Sequence, residues 1–232
     1  MLNFTVFEQL VPFYEDLNTE QFEVILKSSY PYQRMISEYE CALLEVETKL
    51  KVLNLEFSTR KEGNPIESIK SRIKTPTSFI NKLKRRNISL SKTDIENNIF
   101  DIAGVRVICH FVDDVYRIIE SLKNQYDLKI FEEKDYIKKP KPNGYRSYHL
   151  IVEVPVFLYE QMIYRKVEIQ FRTIGMDFWA TIEHKIRYKK NIDNTKSVQD
   201  VLYECAELSA KLDDKMRTVR NMILEQQNNA VK

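Results

Sequence analysis

Apolar residues repeat at helical spacing in two long segments, one toward each end of the chain. Both segments step alternately by three and four residues, the heptad spacing of a helix that packs one apolar face against a partner. Lys215 interrupts the second segment. Two long helices are predicted, and the pattern leaves open whether they pack on the rest of the chain or join subunits. The segments comprise Ile36, Tyr39, Leu43, Val46, Leu50, Leu53 and Phe57, and then Val198, Val201, Cys205, Leu208, Leu212, Val219 and Met222.

Strand-like segments lie between the two predicted helices. They are short and rich in β-branched and aromatic residues, which is typical of strands. Helical periodicity returns in residues 113–126 and 173–189. The predicted fold class is therefore α/β (α+β), with a mixed β-sheet flanked by helices. The predicted strands cover residues 105–112, 128–137, 148–156 and 165–172.

The first residues predict additional helical structure. Residues 4–28 are compatible with one or two short amphipathic helices, broken at Pro12 and at Asn18-Thr19. We therefore divide the chain into an N-terminal helical extension, 1–31, and a single domain, 32–232.

Composition narrows these expectations. With 232 residues, 43% of them hydrophobic, the chain is long enough to bury a core without disulfides. Its net charge of +2 gives no overall bias toward nucleic acid or membrane. Cys41, Cys109 and Cys205 lack metal-ligand spacing and are expected to be buried thiols. Because no segment approaches the roughly 20 apolar residues of a membrane span, we expect a cytoplasmic protein.

One stretch of the chain is strongly basic. Residues 68–93 contain eight lysines and arginines and no acidic residue. Within it, Thr75 suits the N-cap of a helix that begins at Pro76, and Ser78 adds a hydroxyl to the first turn. A helix N-terminus with hydroxyls and cations suits phosphate, although a solvated basic face is the commoner outcome for a charged run. The absence of acids and the cap favour a phosphate site.

A second basic segment, KPKPNGYRSYH at 139–149, contains a predicted turn. Asn143-Gly144 is a typical turn pair, and Tyr145 follows it directly. A tyrosine next to a glycine turn suits stacking on a nucleobase, a contact that contributes roughly 1–3 kcal/mol, but such a ring is more often a core or rim residue. If the ring stacks, Tyr145→Phe should be mild, because stacking needs only the ring face.

Two acidic residues lie among these cations. Asp101 precedes a predicted strand, where Gly104 is expected to allow a bend, and Glu168 lies on the polar face of another strand. Two carboxylates from neighbouring strands can hold Mg²⁺ together with substrate phosphates. Salt bridges of the two acids with Arg106 and Arg172 are the equally weighted alternative.

Five motifs in this order resemble the synthetase domain of RelA/SpoT homologues. The resemblance covers about residues 32–217, and the chain is too short for the hydrolase and regulatory domains of the long members, so it resembles the small alarmone synthetases. The sequence contains neither a P-loop nor a GxGxxG motif, which argues against a P-loop NTPase, a dinucleotide-binding fold or a protein kinase. The motifs are SRIKTPTSFINKL, DIAGVRVICHF, KPKPNGYRSYHL, VEIQFRT and DFWATIEHK.

The resemblance implies a fold, a reaction and a set of site residues. The fold is a nucleotidyltransferase-like mixed sheet, and the reaction transfers the β,γ-pyrophosphate of ATP to the 3′-OH of GTP or GDP, making the stringent-response alarmone (p)ppGpp. Asp101 and Glu168 would hold Mg²⁺, with Glu168 also the base, and the enzyme would be a homotetramer. The implied ATP-binding residues are Arg72, Lys74, Ser78, Lys82, Arg85 and Arg106, with Arg72 and Arg106 around adenine. The implied GTP- or GDP-binding residues are Tyr145, stacked on guanine, and Lys141, Asn143, His149 and Gln170.

Two other function classes stay open at this point. A catalytically degenerate nucleotide- or RNA-binding regulatory module would use the basic run and Tyr145, but RNA binding gains nothing from carboxylates in a basic groove. A nucleotidyltransferase with a different acceptor is the second. We therefore expect ATP and GTP or GDP as substrates, with no membrane partner and no obligatory nucleic acid.

Overall fold

A computed structural model describes residues 18–60, 63–188 and 196–230 and contains a five-stranded sheet. The spatial order of the strands is β1-β2-β5-β4-β3, with β2 and β5 parallel and every other neighbouring pair antiparallel. The predicted mixed sheet is confirmed. The strands are β1 (Ile66–Ile73), β2 (Ala103–Cys109), β3 (Lys129–Asp135), β4 (Tyr148–Phe157) and β5 (Met162–Thr173).

Helices flank the sheet, and the two long ones lie where the heptad segments predict them. No helix in the described ranges is long and apolar enough to cross a membrane. The helices are α1 (Thr19–Ser28), α2 (Tyr30–Ser58), α3 (Pro76–Arg86), α4 (Lys92–Asn98), α5 (Val112–Lys123), α6 (Ile174–Tyr188) and α7 (Lys196–Ala230).

The main core lies between one face of the sheet and α2. Strand alternation sends Val105 and Val107 of β2 and Val167, Ile169 and Phe171 of β5 into it, all of them buried. The apolar face of α2 covers these side chains, and α1 adds to the same core. The polar residues of β2 and β5 must therefore lie on the opposite face of the sheet.

The apolar seam of α7 is exposed, unlike that of α2. Val201, Leu208 and Leu212 each expose 56–64% of their surface. The other side of α7 packs against α6, where Ala206 is buried with Trp179. The same heptad spacing thus has two different structural outcomes.

Two elements and two cysteines differ from expectation. β1 and α4 were not predicted, because β1 is an edge strand with one buried position among eight and α4 has only seven residues. The expectation of buried thiols is wrong for Cys205, which is exposed on the outward side of α7, and Cys41 is half-buried. Helix α1 begins after Asn18, as predicted, and the rest of the helical prediction for residues 4–17 lies outside the described residues.

Candidate active site

A polar cavity of about 220 Å³ lies at strands β1, β2 and β5, with Asp101 in its lining. The sheet register explains its composition, because paired residues project from the same face of a sheet. Gly104 lies within β2 rather than at a bend, and its missing side chain leaves room beside Glu168. One row across the strands contains Arg72, Gly104 and Glu168, and the next contains Lys70, Arg106, Gln170 and His149.

Asp101 is held by two lysines from the basic run. Its carboxylate accepts hydrogen bonds from Lys74 Nζ at 2.8 Å and from Lys82 Nζ at 2.6 Å. Burial alone would raise the pKa of Asp101, but the two ammonium groups outweigh it and hold the pKa below its ordinary value. Burial lowers the pKa of Lys82, with Lys74 and Arg86 adding to the effect and Asp101 opposing it. The site therefore combines an ionised acid with two converging cations.

Glu168 is the second carboxylate of the cavity. His149 Nδ1 lies 2.9 Å from its Oε1, and Gln170 Nε2 donates to its Oε2 at 2.9 Å. Burial raises the pKa of Glu168 and so does the charge of Asp101, but the contacts with His149 and Gln170 prevail and the pKa is lowered. Glu168 is therefore ionised at neutral pH and fixed in direction on both oxygens.

Helix α3 begins as the sequence predicts. Thr75 is the N-cap, its hydroxyl accepts from the Ser78 backbone N–H at 3.3 Å, and Pro76 occupies the first turn. The first turn also contacts α1, because the Thr77 hydroxyl donates to Glu23. Lys82 faces Asp101, whereas Arg85, one turn further on, is exposed and does not line the cavity.

The loop before β4 forms the predicted turn. Gly144 N–H donates to the Lys141 carbonyl at 2.8 Å, and the Gly144 φ of +85° is in the region that favours glycine. A Cβ at Gly144 would lie 2.6 Å from the Ala206 side chain, so only glycine lets the loop approach α7 this closely. Asn143 donates to Glu183 at 3.2 Å, which fixes the loop against α6.

The Tyr145 hydroxyl is linked to the Glu168 carboxylate through the ring of His149. Arg172 Nη2 donates to the Tyr145 oxygen at 3.0 Å, and His149 Nε2 lies 2.9 Å from that oxygen. Because an arginine only donates, the hydroxyl hydrogen is available to Nε2, and His149 Nδ1–H is left to donate to Glu168. The Lys141 ammonium lies 4.9 Å from the Tyr145 ring centroid. The structure therefore gives the hydroxyl a role that the stacking hypothesis did not consider.

The two arginines of the alternative salt-bridge hypothesis do not pair with the two acids. Arg106 and Arg172 both contact Asp177, at 3.3 and 2.9 Å. Burial lowers the pKa of Arg106, the charge of Arg172 adds to this, and Asp177 opposes it. Asp177 was missed because an acid in the first turn of a helix is ordinarily explained by the helix dipole.

The structure brings most of the predicted site residues into one continuous region. Two predicted ATP residues, Ser78 and Arg85, are exposed and do not line the cavity. Tyr136 is an addition that the sequence did not indicate, since its ring packs edge-on against Tyr145 and His149 at 6.2 and 5.4 Å. The predicted residues that line the cavity are Arg72, Asp101, Arg106, Glu168 and Gln170, and those bonded to its acids are Lys74, Lys82 and His149.

Comparison with known proteins agrees with this arrangement. A family model described as a region found in RelA/SpoT proteins matches residues 71–193, which span the segment from β1 through α6. The chain belongs to the RelA/SpoT family. The matched segment contains both carboxylates and the other lining residues of the cavity except Lys70.

Small members of the RelA/SpoT family match this chain over most of its length. The GTP pyrophosphokinase YwaC of Bacillus subtilis is 42% identical over 208 residues, 90% of this chain and 99% of that protein. The structure of small alarmone synthetase 2 from Bacillus subtilis has a TM-score of 0.75 at 46% identity, covering 82% of this chain and 98% of that one. Small alarmone synthetase 1 from the same organism, bound to its product pppGpp, has a TM-score of 0.77 at 35% identity, covering 84% and 99%.

Proposed function

We propose that the protein is a (p)ppGpp synthetase that transfers the β,γ-pyrophosphate of ATP to the 3′-OH of GTP or GDP. The observation that carries the proposal is the continuous contact between the two halves of the site. Tyr145, the predicted guanine platform, contacts His149, which contacts Glu168 in the cavity that Arg72 and Arg106 line. An acceptor on the ring would thus lie next to the predicted base. ATP and GTP or GDP are the proposed substrates, and the proposed location is the cytoplasm.

The basic residues supply the donor half of the site. Arg72 and Arg106 line the cavity from adjacent strands and are the proposed contacts of adenine. Lys74 and Lys82 converge at Asp101 and are placed to neutralise the triphosphate, together with Ser78 at the start of α3. Phosphoryl-type transfer depends mainly on positioning and charge neutralisation, which is what such a cluster provides.

The two carboxylates fit a hard cation. Asp101 and Glu168 line one cavity, and the charge of Asp101 acts on Glu168. In the described part of the chain, no group of three or more His, Cys, Asp or Glu side chains could hold a metal ion. Mg²⁺ commonly takes one or two protein carboxylates and completes its shell with substrate phosphates and water. We therefore propose Asp101 and Glu168 as its ligands, where Mg²⁺ would neutralise charge on the transferred group.

Glu168 is the proposed base of the reaction. The 3′-oxygen of the acceptor forms a bond to the β-phosphorus, the bond from that phosphorus to the α-phosphate oxygen breaks, and AMP leaves with the electron pair. The proton of the 3′-OH passes to Glu168, whose lowered pKa keeps the carboxylate ready to accept it. His149 and Gln170 hold the carboxylate in place during the transfer.

The proposed assembly is a homotetramer. The exposed heptad seam of α7 supports it, because such seams pack against other helices and the described part of the chain leaves this one uncovered. A second copy of α7 is the proposed occupant of that face.

The function is tested by product analysis. The purified protein is incubated with ATP, MgCl₂ and GTP or GDP, and the nucleotides are separated by anion exchange. We expect AMP and a guanosine penta- or tetraphosphate in equal amounts. Failure of a folded sample to form either product, with and without added ppGpp, would contradict the proposal and favour the binding-module alternative.

The base role is tested by Glu168→Gln. Turnover should fall by about 10²–10⁴, the usual worth of a general base. Glu153→Gln is the matched control, because Glu153 is also a strand glutamate but pairs with Lys129 at the far side of β4. Activity of Glu168→Gln within about tenfold of the parent would remove Glu168 from this role.

A further inference from the structure

Asp177 is shared by two arginines that belong to different halves of the proposed site. Its Oδ1 lies 2.9 Å from Arg172 Nη1 and 3.3 Å from Arg106 Nη1, so one oxygen contacts both guanidinium groups. Without the carboxylate, two neighbouring positive charges would repel each other at the wall of a partly buried cavity. Asp177 is therefore the group that allows both arginines to occupy this place.

Each arginine leads to a different nucleotide site. Arg106 lines the cavity beside Gln170 and is a proposed contact of adenine. Arg172 is buried, donates to the Tyr145 hydroxyl at 3.0 Å and lies over the Tyr145 ring with its guanidinium carbon 5.4 Å from the centroid. The carboxylate of Asp177 thus contacts Arg106 on the donor side and Arg172 on the acceptor side, and Arg172 contacts the acceptor ring.

The position of Asp177 is fixed by the backbone. It lies in the first turn of α6, directly after β5, and α7 covers this turn closely. A Cβ at Gly175 would lie 2.8 Å from the Ser209 hydroxyl, and Thr173 donates to Asp213 at 2.6 Å. Asp177 therefore sits on a rigid part of the fold, which suits a residue that orients others.

The pairing with Asp177 does not satisfy every donor of the two arginines. Among the described residues, the buried Nε atoms of Arg106 and Arg172 have no hydrogen-bond partner. Two guanidinium groups on one carboxylate also leave one positive charge uncompensated. A nucleotide that engages either arginine therefore acts on a pair that is already joined.

We propose that Asp177 is a positioning residue that couples the donor and acceptor sites, so that each nucleotide tightens the binding of the other. The inference rests on the proposed function. A purine on Arg106 fixes that guanidinium group against the Asp177 carboxylate, and the same carboxylate holds Arg172 beside Tyr145. The second nucleotide then binds a site whose side chains are already ordered, so its binding costs less conformational entropy. The coupling free energy must be equal in both directions.

The coupling is measured by isothermal titration calorimetry with probes that do not react. GDP is titrated in MgCl₂ into the full protein with and without AMPCPP, the ATP analogue with a methylene group in place of the bridging α,β-oxygen. In the parent we expect AMPCPP to lower the Kd of GDP by about fivefold or more, within the usual range of coupling. In Asp177→Asn, which keeps the shape and loses the charge, we expect a factor below about two.

Asp113→Asn is the matched control. Asp113 is also an aspartate shared by two arginines, Arg217 at 3.4 Å and Arg220 at 2.7 Å, but it joins α5 to α7 away from the cavity. This variant should keep the coupling of the parent. If Asp177→Asn fails to fold, as judged by its thermal midpoint, Asp177→Glu replaces it and should also show reduced coupling, because its carboxylate is displaced by one methylene.

The outcomes separate the two proposals. A parent that binds neither GDP nor AMPCPP contradicts the proposed function itself. A parent that binds both without mutual effect leaves the function standing and overturns the role of Asp177. A folded Asp177 variant that weakens both nucleotides but keeps the full coupling factor also overturns it, because that result describes a merely structural residue.

Discussion

The two long helices carry the same apolar pattern, but only α2 buries it. In α2, Val46 and Leu50 are fully buried against the sheet, whereas Leu208 and Leu212 of α7 expose more than half of their surface. A heptad pattern predicts a helix and the direction of its apolar face. It does not predict what covers that face, which depends on where the chain places the helix relative to the rest of the core.

The second face of α7 explains its attachment. The helix is held on the protein by polar groups and small residues: Arg146 donates to Glu207 at 2.8 Å, and the Trp179 indole N–H donates to the Leu202 carbonyl at 2.8 Å. These contacts reach the loop that carries Tyr145. The inner side of α7 therefore supports the proposed acceptor loop, while its outer side stays exposed.

The largest effect is expected from the buried seam. Leu50→Ala should lower the free energy of unfolding by about 2–5 kcal/mol, because it leaves a cavity in the core. Chemical denaturation measures this, with Leu55→Ala as the control, since Leu55 lies on the same helix and is 72% exposed. Equal losses in the two variants would contradict the difference between buried and exposed faces of α2.

The exposed seam should control assembly rather than the stability of the subunit. Replacing both Leu208 and Leu212 with Gln should lower the native mass in light scattering, while each exposed substitution changes subunit stability by no more than about 0.5 kcal/mol. Leu44→Gln, an exposed leucine on α2, should leave the mass unchanged. A parent mass retained in the α7 variant would rule out this seam as the subunit contact.

The inner face of α7 should affect the acceptor. Glu207→Ala removes the ion pair with Arg146 and should raise the KM for GDP about two- to fivefold, the effect of a pair worth up to ~1 kcal/mol. The KM for ATP should stay the same in steady-state kinetics. Glu204→Ala, at an exposed position of the same helix, is the control. An equal change in both KM values would mean that α7 supports the site as a whole.

The smallest effect concerns Asp213, where α7 meets β5. Burial raises the pKa of Asp213 above its ordinary 3.8, and the hydrogen bond from Thr173 only partly opposes it. The folded chain then binds a proton more tightly than the unfolded chain, so this group costs stability as pH rises through the raised pKa. Asp213→Asn lacks that cost.

The melting temperature of Asp213→Asn should therefore gain on the parent between about pH 4 and pH 7, by no more than about 2 °C. Thermal melts at several pH values measure the difference, with Asp200→Asn as a control at an exposed carboxylate of the same helix. A gain that appears on acidification instead would mean that the pKa of Asp213 is lowered rather than raised.

The sequence predicts local features well where one residue type has one physical use. The Thr75 cap, the Gly144 turn and the alternation of Val167, Glu168 and Ile169 are confirmed. Each depends on groups that are neighbours in sequence, so that spacing alone is informative.

Features that depend on distant partners are not predictable in this way. The contact of Asp177 with Arg106 joins a helix start to a strand far away in sequence, and the expected partners of both arginines were other acids. β1 was missed because it is an edge strand with one buried position among eight, so its sequence shows no regular alternation. The same limit applies to the seam of α7, which the described residues leave exposed.

The single parallel pair of the sheet also governs when activity can appear during synthesis. Gly104 of β2 lies beside Glu168 of β5, and more than sixty residues of chain separate them. Such long-range pairing forms slowly and late in folding. A nascent chain that has released β1, β2 and α3 from the ribosome already carries Lys74, Lys82 and Asp101, but it lacks Glu168, the proposed base. The proposed catalytic site is therefore complete only after most of the chain has been translated.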